Sequence, residues 1–184
     1  MPRLTIPARE AVPAASQPLL DAVEKSLGVV PNLFRLLGQS PAALGGLLGL
    51  SGALSKALDA RTRERIPLAV AQVNGCDYCL SAHSYLGLNV AKLDAEEITL
   101  NRRGHSADPR ADAADAAVAF AAKVAAQRGQ VGGADIATVK LAGHTEAQIV
   151  EIVGLVALNV FTNFINNVAQ TEIDFPVVRP AEAA

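Results

Sequence analysis

Aromatic residues, cysteines and charged residues are all scarce in this chain of 184 residues. It has no Trp, and only 4% of its residues are aromatic although 51% are hydrophobic. Its apolar side chains are therefore mostly aliphatic, which favours packed helices over an aromatic-rich sandwich or a base-stacking surface. Sixteen basic and eighteen acidic residues give a net charge of −2, which argues against nucleic acid as a partner. Two cysteines, Cys76 and Cys79, are too few for a disulfide-stapled secreted scaffold.

Signals for export and for membrane insertion are also weak. No apolar run of signal-peptide length follows the N-terminus, so we predict a cytoplasmic protein. Two stretches lack charge altogether, Leu36–Ser55 and Ile152–Thr171. The first contains a proline and five glycines and the second several amides, so we expect buried helices of a soluble protein and no membrane partner. The apolar side chains of such helices must be buried, and contacts with further subunits can bury those that one chain leaves exposed.

Helix signals are frequent along the chain, whereas alternating β-branched runs are few. Ser40 with Pro41 predicts one helix start and Thr62 a second, and Asp108–Pro109 predicts the start of a long Ala-rich helix. Asp94 and Thr145 each precede a Glu or Gln by three positions, which is the capping-box pattern. The length fits one domain, and no linker divides the chain. We therefore predict an all-α fold, a compact bundle of seven or eight helices in a single domain over residues 1–184.

Two helices carry unusual residues. Four glycines lie within the predicted helix that begins at Pro41, and each destabilises a helix by roughly 1 kcal/mol relative to Ala. We expect this helix to approach a neighbouring backbone closely. The last helix carries a stripe of amides, Asn159, Asn163, Asn166 and Asn167, for which we expect structural hydrogen bonding.

The cysteine pair is the main functional signal. At about 100° per residue, Cys76, Cys79 and His83 fall on one face of a helix. An imidazole one turn beyond a thiol can take its proton, and a helix N-terminus lowers the pKa of a thiol. A second thiol three residues away can condense with a sulfenic acid to form a disulfide. In a cytosolic chain, Cys-x-x-Cys points to redox chemistry.

Other interpretations of the pair remain open. Two buried cysteines can be plain core residues. Cys76, Cys79 and His83 offer three zinc ligands, although no second Cys or His pair follows at finger spacing. The usual haem attachment motif is excluded because Leu80, not His, follows Cys79, and no βαβ pattern supports a thioredoxin fold.

The pattern of Glu64, Cys76, Cys79 and His83, with the first cysteine twelve residues after Glu64, resembles that of the alkylhydroperoxidase D (AhpD-like) group of the carboxymuconolactone decarboxylase superfamily. The tail from Asn163 to Pro176 is similar to that of the peroxidase-related branch. The resemblance extends over residues 17–178, which we take as the core of the domain. Glu64 has a competing interpretation as a solvated charge among neighbouring arginines.

The resemblance implies an all-α, cofactor-free thiol peroxidase for organic hydroperoxides that assembles into trimers or hexamers. By this likeness, Cys79 is the peroxidatic thiol, Cys76 the proton donor and disulfide partner, and His83 with Glu64 the proton relay. A dithiol protein, thioredoxin-like or lipoyl-bearing, would restore the thiols. Some members carry a His directly before the second Cys. This chain has Tyr78 there, which we treat as a candidate supporting residue, either as a hydrogen-bond donor or in packing.

Three further functions stay in view. The pair could serve a general thiol–disulfide oxidoreductase or redox sensor, without peroxide as substrate. The superfamily name suggests a decarboxylase-type relative, against which the intact cysteine pair argues. A zinc-stabilised helical interaction domain is the non-enzymatic alternative.

Overall fold

The computed structural model describes residues 2–108 and 112–180 of the chain. These residues form α-helices and no β-strand, which confirms the predicted all-α class. Two short 3-10 helices, Arg9–Ala11 and Ala14–Ser16, come first. The nine α-helices of the described residues are α1 (Gln17–Leu27), α2 (Asn32–Leu37), α3 (Pro41–Leu54), α4 (Ala60–Val73), α5 (Asp77–Asn89), α6 (Ala95–Arg102), α7 (Asp112–Ala126), α8 (Gly133–Leu141) and α9 (Glu146–Ala169). The predicted count of seven or eight was one or two short.

Local capping chemistry fixes several helix starts where the sequence predicts them. The side chains of Ser40, Asp94 and Thr145 each accept a hydrogen bond from the backbone N–H three residues on. The predicted start of α7 at Asp108–Pro109 includes Pro109, which lies outside the described residues. The start of α4 differs from the prediction of Thr62, because Asp59 caps the helix by accepting from the N–H groups of Arg61 and Thr62.

Helix α4 is the centre of the bundle and packs against α5, α6, α7 and α9. Its residues from Ile66 to Ala71 are buried. Pro67 lies inside the helix without ending it. One apolar cluster joins α4 to α7 and α9, and a second surrounds the cysteine pair with side chains from α1, α2, α3 and the C-terminal segment. The cysteine pair therefore lies in the core rather than at the surface.

Helix α9 has its polarity reversed relative to an ordinary surface helix. Its buried face carries Asn159, Asn163 and Asn166, as well as aliphatic residues. From Val150 to Val168 its exposed residues are apolar and lie three or four positions apart: Val150, Val153, Ala157, Phe161, Phe164 and Val168. Among the described residues, α9 is the one helix with the length and hydropathy of a membrane span. Its buried amides are unlike a lipid-exposed span and fit the core helix of a folded domain.

Within the described residues, the glycines of α3 do not approach the backbone of another element. A methyl group built on Gly46, Gly49 or Gly52 would meet no other atom within 4 Å. These glycines are exposed, so this part of α3 has no side chains projecting into solvent at those positions. A cavity of about 280 Å³ lies between α3 and α9, with Leu50 and Phe161 among its lining residues. The close approach expected for these glycines is therefore not made inside the described residues.

Candidate active site

A tight turn between α4 and α5 presents the first cysteine. Gly75 takes the left-handed conformation, with φ of 60°, which glycine adopts without steric cost. Cys76 follows as the N-cap of α5 with an extended backbone, and its sulfur accepts a hydrogen bond of 3.3 Å from the N–H of Cys79. Cys76 thus precedes the helix that was predicted to include it, while Cys79 lies in the first turn.

Both sulfurs are shielded from solvent, and no disulfide joins them. Cys76 is 0% exposed and Cys79 is 3% exposed. The pair is close but not at disulfide distance, and both thiols are free. Asn166 of α9 donates a hydrogen bond of 3.2 Å from Nδ2 to Sγ of Cys79. The second cysteine is therefore enclosed between the first turn of α5 and the amide-bearing face of α9.

The two thiols differ in acidity. Burial acts to raise the pKa of Cys79, but the hydrogen bond with Cys76, the charge of His83 and the amides of Asn166 and Asn163 outweigh it and lower the pKa to about 7. The hydrogen bond with Cys79, together with burial, raises the pKa of Cys76 well above its ordinary value. At neutral pH, Cys79 is the thiol that ionises and Cys76 the one that keeps its proton.

His83 and Glu64 are brought together by the packing of α5 on α4. Nδ1 of His83 lies 3.0 Å from Oε2 of Glu64, and both side chains are about one quarter exposed. Burial alone would lower the pKa of His83, but the hydrogen bond and charge of Glu64 raise it above the ordinary value of 6.5. The carboxylate thus favours a cationic imidazole one turn beyond Cys79. Glu64 is an ion-pair partner rather than a solvated charge.

Replacing His83 by Ala is expected to shift the ionisation of Cys79 to higher pH. The lowered pKa means that the thiolate is lost as pH falls below about 7. Without the cation, the pKa should move back towards 9.0 or above, and alkylation by iodoacetamide at pH 7 should slow roughly tenfold or more. The matched control is His105→Ala, since His105 is exposed and pairs with Asp115 instead. Superimposable pH profiles for wild type and His83→Ala would contradict this role.

Tyr78 is directed away from the sulfurs. Its hydroxyl accepts a hydrogen bond of 3.1 Å from the N–H of Leu33 in α2, and its ring packs edge-on against Phe175 at 5.8 Å. Burial raises the pKa of Tyr78. Its contacts tie the start of α5 to α2 and to the C-terminal segment, where its hydroxyl also hydrogen-bonds to Asp174.

The segment after α9 covers the start of α5. The backbone N–H of Val178 donates to Oγ of Ser81 at 2.9 Å, and Arg179 pairs with Asp77. At its other end, Asp174 accepts from the N–H of Asn32 at 2.8 Å. This segment closes the cysteine cluster on the side of Tyr78 and helps to explain why the pair is so well buried.

The asparagines of α9 have three different surroundings. Asn159 donates to the carbonyl of Leu155 within its own helix, as expected for a structural amide. Asn163 accepts from Asn74 at 2.9 Å, whereas Asn166 reaches the sulfur of Cys79. Sequence reasoning assigned no site role to this stripe. Its signal was an amide periodicity on a helix otherwise apolar.

No cluster of three or more His, Cys, Asp or Glu side chains suited to a metal ion occurs in residues 2–108 and 112–180. His105 and His144 make other contacts, with Asp115 and with the carbonyl of Ala113 respectively.

Comparison with known proteins finds a family match within the chain and several similar folds. Residues 41–123, which include all four candidate residues, match the model of the carboxymuconolactone decarboxylase family. The fold is similar to that of the alkylhydroperoxidase AhpD core of an uncharacterized peroxidase-related protein from Ralstonia eutropha JMP134 (TM-score 0.82, 23% identity, 94% of this chain and 92% of that one). The chain has the AhpD-like fold.

Two further solved structures share the AhpD-like fold. One is an uncharacterized peroxidase-related protein from Silicibacter sp. TM1040, with a TM-score of 0.77 and 20% identity over 93% of this chain and 91% of that one. Another is a cysteine-to-alanine variant of the debrominase Bmp8 in complex with 2,3,4-tribromopyrrole, with a TM-score of 0.79 and 20% identity over 95% and 94%. No curated protein matches the sequence significantly. At these identities the structural likeness establishes the fold of the AhpD-like chain, not its substrate.

Proposed function

We propose that this AhpD-like protein is a cofactor-independent thiol peroxidase that reduces organic hydroperoxides through a Cys76–Cys79 sulfenate and disulfide cycle. The observation that carries the proposal is the asymmetry of the buried pair: Asn166 donates to Sγ of Cys79 at 3.2 Å, and this contact, with the charge of His83, lowers the pKa of Cys79, whereas the pKa of Cys76 is raised. A thiol peroxidase needs one thiolate nucleophile and one proton donor beside it. The His83–Glu64 pair, at 3.0 Å, supplies the cation that favours the thiolate.

The proposed cycle balances with these groups. The Cys79 thiolate attacks the terminal oxygen of ROOH, the S–O bond forms as the O–O bond breaks, and RO⁻ takes the proton of Cys76 to leave as ROH. The Cys76 thiolate then attacks the Cys79 sulfenic acid. The disulfide forms and hydroxide leaves as water with a proton supplied by His83, which Glu64 orients. A dithiol partner, thioredoxin-like or lipoyl-bearing, reduces the disulfide and is itself oxidised.

The peroxidase differs from a general thiol–disulfide oxidoreductase in the oxidant of the reduced pair. With exposures of 0% and 3%, the two reduced cysteines are reached more easily by a small hydroperoxide than by a protein disulfide. Reduction of the oxidised pair by a dithiol protein is common to both functions and does not separate them. Stopped-flow oxidation of the reduced protein tests this choice: cumene hydroperoxide should oxidise the pair much faster than it oxidises free cysteine. A rate no better than free cysteine, with rapid exchange against an oxidised thioredoxin-like protein, would favour the oxidoreductase instead.

We also propose that the protein is a homo-oligomer, a trimer or hexamer, assembled through the faces of α3 and α9. The support is the exposed apolar face of α9 together with the open glycines of α3, neither of which is covered within the described residues. An exposed apolar surface of this continuity is typical of an interface, and glycines allow helices to approach closely.

Replacing Gly49 by Glu is expected to break the oligomer into smaller species. Gly49 lies in a helical conformation with open space around it, so one chain accommodates the side chain, while an interface would have to bury its charge. Light scattering after size exclusion measures the mass. Gly133→Glu is the matched control, because Gly133 is equally open but belongs to α8 rather than to α3 or α9. A wild type that is monomeric at micromolar concentration, or a Gly49→Glu variant of unchanged mass, would rule out this interface.

A further inference from the structure

A polar cavity lies between the start of α5 and the end of α9, beside the cysteine pair. It has a volume of about 180 Å³ and is lined by Asp77 and Tyr78 from α5 and by Asn166, Asn167, Gln170 and Thr171 from α9 and the segment after it. Most of these side chains can donate or accept hydrogen bonds, in contrast to the apolar surroundings of the sulfurs. Asn166 belongs both to this cavity and to the surroundings of Cys79.

Two of the residues that line this cavity carry a buried polar atom without a hydrogen-bond partner. The atoms are Oδ1 of Asn166 and Oγ1 of Thr171, in residues that are only 3% and 7% exposed. Buried polar atoms are nearly always paired, so two unpaired atoms in neighbouring lining residues mark a place where a ligand or water can complete the bonding. Asn159, two helical turns earlier on the same buried face, does not line this cavity and bonds to the carbonyl of Leu155.

The carboxamide of Asn166 can serve both reactants at once. Its Nδ2 already donates to Sγ of Cys79 at 3.2 Å, and a donor at this position stabilises a thiolate more than a thiol. Its Oδ1 is an acceptor without a donor. A hydroperoxide carries one O–H group, on the same terminal oxygen that the sulfur attacks.

We propose that Asn166 is a further catalytic residue of this site, and that the polar cavity beside it is the binding pocket for a small hydroperoxide. Oδ1 of Asn166 accepts the hydroperoxide O–H, Nδ2 holds the sulfur, and the two contacts of one rigid carboxamide align the terminal oxygen with Sγ. Thr171 contributes its hydroxyl to the body of the same ligand. In the reaction the O–H proton stays on the oxygen that becomes part of the sulfenic acid, and RO⁻ takes the proton of Cys76. This inference rests on the proposed peroxidase function.

The donor contact is tested by thiol ionisation, without peroxide. In Asn166→Leu the ultraviolet absorbance of the thiolate should titrate at a pH higher than in wild type by about one unit, because one hydrogen bond to the charged form is lost. Asn159→Leu is the matched control: the same substitution on the same buried face, at an amide that bonds only to its own helix. Equal titrations for wild type and Asn166→Leu would overturn the donor role.

The acceptor role is tested at a pH where the thiol of each variant is fully ionised, with hydrogen peroxide and tert-butyl hydroperoxide as probes. At that pH the raised thiol pKa of Asn166→Leu no longer affects the oxidation rate. An oxidation rate that is still at least tenfold below wild type therefore reports lost alignment of the hydroperoxide with Sγ of Cys79. Thr171→Val should slow oxidation less, by raising the hydroperoxide concentration needed for half-maximal rate. Asn166→Asp, which keeps the size and an acceptor oxygen, should recover more of the fully ionised rate than Asn166→Leu.

The results for Asn166→Leu and Asn159→Leu distinguish a catalytic role of Asn166 from a structural one. Full recovery of the Asn166→Leu rate at high pH would overturn the acceptor role, and a parallel loss in Asn159→Leu would show a structural effect only. A wild type that hydroperoxides oxidise no faster than free cysteine would refute the peroxidase, and the pocket assignment with it. The titration of Asn166→Leu would still decide the contact with Cys79.

Discussion

Replacing Cys79 by Ser is expected to abolish hydroperoxide consumption, leaving only the background reaction of the peroxide with the reductant. The thiolate is the nucleophile, and a serine hydroxyl at the same place does not ionise near neutral pH. The measurement is peroxide consumption with dithiothreitol, at equal protein concentration and with the fold checked by circular dichroism.

The control for this prediction is Cys76→Ser, which also replaces one sulfur atom by oxygen at the start of α5. This variant keeps the nucleophile and loses the disulfide, so it should react with one equivalent of hydroperoxide and then stop. Intact-mass analysis should show a gain of one oxygen atom, trapped by dimedone as the sulfenic acid. Wild type should instead lose two hydrogen atoms as the Cys76–Cys79 disulfide forms. Turnover that persists in Cys79→Ser, or sulfenic acid on Cys76, would reverse the assignment of the two thiols.

Much of the fold follows from local signals in the sequence. Caps such as Ser40, Asp94 and Thr145 act within one turn, so the residues that fix a helix start are adjacent in the chain and can be recognised there. The start of α4 was missed for a similar reason: Asp59 and Thr62 both qualify as caps, and only the burial of Thr62 shows that it lies inside the helix. Local chemistry ranks such candidates, while packing chooses between them.

In the candidate site, too, some contacts follow from the sequence and others depend on how the helices pack. Helical periodicity is enough to align Cys79 with His83, because both lie on α5. Glu64 and Asn166 lie on other helices, and their contacts with His83 and Cys79 depend on how α4 and α9 pack against α5. The spacing to Cys76 singled out Glu64 through resemblance to a family, whereas nothing in the sequence separated Asn166 from the structural amide Asn159.

A buried ionic network holds α4 to the elements that follow α5. Nε of Arg65 donates to Glu97 at 2.8 Å and Nη2 donates to Asp108 at 2.8 Å, with the three side chains 2%, 5% and 9% exposed. Glu97 also accepts from Ser106 and from the N–H of Ala107. The sequence places Arg65 in a run of alternating arginines beside Glu64, where surface exposure is the ordinary expectation. Only the packing of α6 on α4 makes it a core residue.

Replacing Arg65 by Met is expected to destabilise the protein by about 3–5 kcal/mol, a large share of the roughly 5–15 kcal/mol typical of a domain. Exchanging a whole buried ion network for apolar residues is often neutral, but removing Arg65 leaves Glu97 buried without the cation that it contacts, while Asp108 keeps Arg61 at 3.3 Å. Urea unfolding, followed by circular dichroism, measures the loss. Arg63→Met is the matched control on the same helix: Arg63 is half-buried, and its replacement should change stability by no more than about 0.5 kcal/mol.

The same network predicts how stability changes with pH. Burial acts to raise the pKa of Glu97, but hydrogen bonds from Ser106, Asn101 and Ala107 outweigh it and hold the pKa below the ordinary value of 4.5. A carboxyl with a lowered folded-state pKa stabilises the fold above its unfolded-state value, and that stabilisation is lost as pH falls through the folded-state value. In Glu97→Gln, the fall in stability below pH 4.5 should therefore be shallower than in wild type.

Because Glu64 and Arg65 are adjacent on α4, a fold weakened at Arg65 should also loosen the His83–Glu64 pair. Arg65→Met should then lose the low pKa of Cys79 at denaturant concentrations that leave Arg63→Met unchanged.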